Sequence, residues 1–280
     1  MTAVESFCQS ARALLSASPV WIMLGLAAGP GAAATTFVPA SQDNTLIEDA
    51  DGALSNGAGD GIWAGRTGQP EGQSIRRAVL AFDLSGALPT SAEITSVTLQ
   101  LTLVQGNPTT TLAVHRLDQS WGEGASSFPG GQGAASEPGD ATWKHTFYDI
   151  SLWASPGGDF APTASAAIFS RAENVFTWTS SELLSDVQSW LADPESNHGW
   201  IVLGDETVGS TSVRFGSREL DVVADRPMLI VEHLQSVPLL RPGSLLLLVL
   251  ALSGLGAVCS KPRVADALSA APERPRTNLA

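Results

Sequence analysis

Ala78-Val79-Leu80-Ala81-Phe82 is apolar at every position, and Val97-Thr98-Leu99-Gln100-Leu101-Thr102-Leu103 alternates apolar and polar without a break. The first pattern predicts a central strand covered on both faces; the second predicts a strand with one face in the core and one toward solvent. Working outward, the same signals recur at 112–117 (LAVHRL), 175–178, 200–203, 212–215 and 228–232. Turn-forming steps separate them: Gly106-Asn107-Pro108, Gly130-Gly131, Pro156-Gly157-Gly158 and Asp225-Arg226-Pro227.

One segment has the helical period instead. Leu183, Leu184, Val187, Trp190 and Leu191 form a single apolar stripe. Thr179-Ser180-Ser181-Glu182 ahead of it reads as a capping box with Thr179 as N-cap, and Asp193-Pro194 closes it. Many short strands, Gly/Pro turns and one short amphipathic helix predict an all-β antiparallel β-sandwich.

The chain has 280 residues, of which only 15% are charged, with 27 glycines and 17 prolines. Residues 13–28 (ALLSASPVWIMLGLAA) form a short apolar run after Arg12, and Gly31-Ala32-Ala33-Ala34 follows; this is the pattern of a secretory signal helix over 1–34 with cleavage at Ala34/Thr35. At the other end, the apolar stretch 244–259 lies between Arg241 and the pair Lys261/Arg263, which predicts a transmembrane helix with its basic end in the cytoplasm. The segment 237–263 resembles the PEP-CTERM class of sorting signals, through Val237-Pro238, Pro242-Gly243-Ser244, the Leu-rich run and the basic end. That resemblance implies a sorting protease as partner and 264–280 as a removed or cytoplasmic tail; a plain single-span anchor is the other reading.

The two cysteines, Cys8 and Cys259, both fall in these end segments, so the domain at 35–236 has neither disulfides nor thiol chemistry. The whole chain has a net charge of −13; within 35–236, 25 Asp and Glu face 9 Lys and Arg, a net of −16. Such a surface excludes a nucleic-acid groove. No nucleophile elbow, phosphate loop or zinc signature is present, and no acid pair stands out for hydrolysis.

Between residues 43 and 232 the order of motifs resembles the DNRLRE domain, related to disaggregatase repeats and to a carbohydrate-binding-module family that binds alginate. The matching pieces are 43–48 (DNTLIE), Ser55-Asn56-Gly57, 62–66 (IWAGR), 78–84 (AVLAFDL) and 94–103. They continue through 120–124 (SWGEG), Ala141-Thr142-Trp143, 153–160 (WASPGGDF), 187–191, Asn197-His198-Gly199-Trp200 and Arg226-Pro227. The resemblance implies a jelly-roll-type sandwich in a surface or matrix protein, beside a polysaccharide or exopolysaccharide matrix.

The candidate ligand residues lie in the loop region 120–160: Trp121, Trp143, His145, Tyr148, Trp153 and Asp159. Exposed rings stack on sugars while flanking polar groups bond the hydroxyls; the alternative is that these aromatics cap the sandwich core. Trp63 and Trp200 sit inside strand patterns and read as core. Asp49 and Asp51, with Asp60 beyond, are the candidates for a structural Ca2+, because short Asp-x-Asp spacing gathers hard oxygen ligands; a solvated turn is the alternative. If Arg66, Arg76, Arg77, Arg214 and Arg218 cluster, an acidic glycan is expected; if they scatter, a neutral one. Three roles are open at this stage. They are a non-catalytic carbohydrate-binding module at the cell surface or in the matrix, a structural surface protein contacting other proteins, and a polysaccharide-degrading enzyme.

Overall fold

The computed structural model describes residues 27–28, 31–68, 73–89, 92–106, 109–169, 174–235 and 238–239. The expected signal helix and membrane helix fall almost wholly outside the described residues. Among the described residues no helix is long and apolar enough to cross a membrane. The chain divides into two compact units, one of residues 1–29 with 238–280 and one of 30–237. In the first, β1 (Ala27–Ala28) pairs antiparallel with β17 (Pro238–Leu239).

The second unit holds β2 (Ala32–Pro39), β3 (Gln42–Ile47), β4 (Leu54–Ser55), β5 (Gly61–Arg66), β6 (Ile75–Ala81), β7 (Glu93–Gln105), β8 (Thr111–Arg116), β9 (Ala134–Ala135), β10 (His145–Phe147), β11 (Ser151–Leu152), β12 (Ala166–Phe169), β13 (Val175–Thr179), helix α1 (Ser181–Ala192), β14 (Trp200–Leu203), β15 (Val213–Gly216) and β16 (Met228–Gln235). Eleven strands form one antiparallel sheet that curls into two facing runs. One run is β12-β8-β14-β6-β3 and the other is β13-β7-β16-β2; β5 and β15 bridge them, β15 pairing with the end of β7 and β5 with the start of β6. The architecture is all-β and sandwich-like, with one helix, as the strand patterns predict.

The apolar run at 78–82 explains the layering. Ala78 and Leu80 of β6 point into the main core with Leu112, Val114, Trp200 and Val202, opposite Val97, Leu99, Leu101, Phe176, Trp178, Leu229 and Val231. Val79 points the other way, into a second cluster with Leu46, Leu117, Ile201 and the loop region that follows β8. A strand apolar on both faces is stable only if both faces are covered, and here they are. The alternation in β7 does the reverse work: Val97, Leu99 and Leu101 face the core and Thr98 and Gln100 face out.

The helix cap shifts by one residue from the sequence expectation. Ser180, not Thr179, is the N-cap, its Oγ accepting from Leu183 N at 3.0 Å. Thr179 instead ends β13, and its hydroxyl meets Thr98 Oγ1 at 2.7 Å. α1 seals the sandwich with Leu183, Val187 and Trp190, whose ring lies 4.5 Å from that of Trp200. β2 is a strand where the sequence reading assigns none. It contains the expected export junction, Ala34/Thr35, and pairs along its whole length with β16. Opposite β16, β7 bulges at Thr95, between the pairs Glu232–Ser96 and His233–Ile94, while β16 itself keeps its alternation and points His233 inward after Leu229 and Val231, where its Nε2 meets Thr36 Oγ1 at 3.0 Å.

Candidate functional site

The loop region 118–160 lies against the outer face of the β6 run, and its aromatics answer that face. Trp121 and Trp153 are each 4% exposed and pack with Leu46, Val79 and Ile201. Their indole N–H groups are spent internally, Trp121 Nε1 on His198 O and Trp153 Nε1 on Thr142 O, both at 2.9 Å. Such rings offer no face to a sugar. The physical reason is the second apolar face of the sheet, which needs a lid more than the protein needs a platform.

Trp143 is half-buried on the same cluster, with the Arg77 guanidinium 4.9 Å over its ring. Gly157 (φ 93°) presses on both; a Cβ there would come within 2.8 Å of the indole, which accounts for the glycine. Asp159 closes a turn: it accepts from Ala154 N (2.6 Å), Ser155 N (2.9 Å) and Gln119 Nε2 (2.6 Å). His145 Nδ1 meets Thr142 Oγ1 at 3.0 Å, and its ring stands edge-on to Tyr148 at 5.1 Å. The six expected residues therefore lie in one cover, but Trp121 and Trp153 serve as its inner lining.

Asp49, Asp51 and Asp60 do not converge. Asp49 Oδ2 accepts from Asp51 N (3.2 Å) and Ala53 N (3.1 Å), a local turn bond. Asp60 is ion-paired with Arg214. Carboxylates converge elsewhere, at Asp43 on β3, Glu123 in the cover and Glu219 after β15. Arg218 Nη1 donates to Glu123 Oε2 (3.0 Å) and Glu219 Oε1 (2.9 Å), and its backbone N donates to Asp43 Oδ2 (2.7 Å). Asp43 N in turn donates to Glu123 Oε1 at 2.9 Å. Burial pushes the Asp43 carboxyl well above its usual range, although the Arg218 N–H pulls it down. Burial and the neighbouring Glu123 raise Glu219 as well. Burial works against the Arg218 charge, but Glu123 and Glu219 outweigh it and leave its pKa raised. No spacing signal could have found this trio, since its members are 80 and 96 residues apart in sequence.

An open recess of about 270 Å3 lies beside Trp63. Trp63 is a correction to the expectation that it is core. Its neighbours Ile62 and Ala64 are the inward residues of β5, so strand parity puts Trp63 on the outside, opposite Arg214 of β15. Gln105, Gln132, Ser210 and Ser212 line the recess with it, and Arg76 forms part of the floor. Ser212 Oγ is itself buried, with no hydrogen-bond partner, so it does not open onto the recess. Arg76 is committed to Gly131 O at 2.5 Å, and burial lowers its pKa to about 10, with Glu48 opposing. Trp200, by contrast, is fully buried as expected.

The five arginines are each held by internal partners. Arg77 is paired with Glu206 at 2.7 Å, Arg214 with Asp60, and Arg218 with Glu123 and Glu219. Arg66 donates to Glu206 O and Gln73 O, both at 2.5 Å. No family model matches the chain, and no curated protein matches it either.

Proposed function

We propose that this chain is an exported cell-surface or matrix module that binds a neutral glycan, without catalysis, in the recess beside Trp63. The observation that carries the reading is the chemistry of that recess. The half-buried Trp63 indole on β5, with Gly131 against it and the Arg214 guanidinium 5.9 Å from its ring, stands beside Gln105 at the end of β7 and Gln132 and Ser210 in the adjoining turns, which supplies what sugar recognition requires: apolar surface for the ring, and polar groups for the hydroxyls. Charge selects the class of glycan. Arg76 and Arg214, the cations beside the indole, are already engaged by Gly131 O and Asp60, and the domain carries a net of −16. An acidic chain would have to displace Asp60 and approach against that field.

Export and surface retention rest on the two end segments, with a sorting protease or a plain membrane anchor holding the domain outside. The finer fold belongs with this reading: the two curled runs suit a jelly-roll-type sandwich, as the resemblance to the DNRLRE domain implies. A hydrolytic role is disfavoured because Asp43, in the carboxylate trio found among the described residues, is wholly buried and out of a sugar's reach.

Affinity electrophoresis of the full chain tests the proposal, with a neutral β-glucan, a mannan and alginate cast in separate gels. At least one neutral glycan should retard the protein. Trp63→Ala should remove the retardation and Tyr148→Ala should leave it. Retardation by alginate alone, by no glycan, or unchanged in Trp63→Ala would refute the reading.

A further inference from the structure

The oxygens of Asp43, Glu123 and Glu219 include a set, one from each residue, lying within 4.8 Å of one another. That span is roughly twice a Ca2+–oxygen bond of about 2.4 Å, so a single cation can touch all three. Four of the six carboxylate oxygens have donors, from Asp43 N, Arg218 N and Arg218 Nη1. The other two, Asp43 Oδ1 and Glu219 Oε2, are buried with no hydrogen-bond partner. Asp43 is 0% exposed, so its free oxygen cannot turn to bulk water. A buried carboxylate oxygen left unpaired is among the costlier arrangements a fold can hold. Three ionised carboxylates against one guanidinium leave two negative charges in excess, which is the charge one divalent cation removes.

The geometry points to a Ca2+ site formed by Asp43, Glu123 and Glu219, with Arg218 orienting the two glutamates from outside. Calcium suits it better than magnesium, which sheds its waters reluctantly and tolerates little departure from an octahedron. The site joins three separate stretches: the β3 edge, the start of the cover over the outer sheet face, and the turn after β15. Bound calcium therefore fastens the cover to the sheet. The competing occupant of this space is a proton on Asp43, and the experiment separates the two.

The full chain, freed of metal by chelator, is titrated with Ca2+ alone at neutral pH, by calorimetry and by thermal unfolding. One site per chain is expected, with a rise in Tm of about 5–10 °C at calcium a hundredfold above Kd. Calcium should also slow proteolysis within 118–160. Glu219→Gln, which keeps the oxygen that accepts from Arg218, should lose at least tenfold in calcium affinity. Asp49→Asn, in the turn after β3 and outside the carboxylate trio, should leave binding unchanged and serves even if the Glu219 variant fails to fold. No heat and no Tm change with calcium would overturn the site. So would full affinity in Glu219→Gln, or lost affinity in Asp49→Asn.

Discussion

Asn44 fastens the β3 edge to the cover through one buried amide. Its Nδ2 donates to Ser55 Oγ (2.9 Å) and Glu123 O (2.8 Å), while its Oδ1 accepts from Thr45 N (2.6 Å) and Asn56 N (3.1 Å). Gly57 belongs to the same junction, since a Cβ there would lie 1.7 Å from Glu123 O. Asn44→Ala strands at least two buried backbone groups, each costing roughly 1–3 kcal/mol. We expect a loss of about 3 kcal/mol in urea unfolding at unchanged m-value, and a loss below about 0.5 kcal/mol would contradict this account of the junction. None of these bonds is legible in sequence: Asn44 precedes a run of strand formers, and its partners lie up to 97 residues away, at Ala141 O. The parity of Trp63 is hidden in the sequence for another reason: Ile62, Trp63 and Ala64 are all apolar, and only the inward position of Ile62 and Ala64 reveals it.

At the scale of elements, the sequence was most informative where periodicity was long. The β7 alternation specifies a strand whose faces can be read residue by residue, and the structure lengthens it at both ends; the β6 apolar run specifies the strand but not its faces, and β6 begins earlier, at Ile75, and ends at Ala81, leaving Phe82 just outside. Short elements were less legible. The two-residue β4 and β9 carry too few positions for a period to register, and β12 is apolar at all four positions although alternate residues are exposed. The helix start shows the limit at single-residue resolution. Thr179, Ser180 and Ser181 are all competent caps, and tertiary pairing decides among them by drawing Thr179 into β13 opposite Thr98. Ser180 then serves twice, accepting from Leu183 N and donating to Ser165 O at 2.5 Å. Ser180→Ala should therefore cost about 1–2 kcal/mol and Thr179→Ala less than half of that, by thermal or urea unfolding. The reverse order would mean that the capping box starts at Thr179 after all.

For the molecule as a whole, the consequence of the fold is a division of labour among aromatics. The outer face of the β6 run is apolar and takes Trp121, Trp153 and part of Trp143 as its cover. A loop rich in tryptophan therefore need not be a binding loop, because composition alone does not say which way the rings turn. The bridging strands β5 and β15 present the opposite case: few aromatics, but one indole facing out among amides and hydroxyls. Internal pairing of the arginines leaves the acidic field of the domain largely uncompensated at its surface, which favours solubility and neutral ligands over polyanions.

Hydrogen–deuterium exchange of the full chain, with and without the neutral glycan that retards it most, tests the central claim directly. The account predicts ligand-dependent protection confined to the backbone around Trp63, Gln105, Gly131-Gln132 and Ser210–Ser212, with 143–160 unchanged. Protection centred on Trp143 and Tyr148 instead, or on neither region, would contradict it.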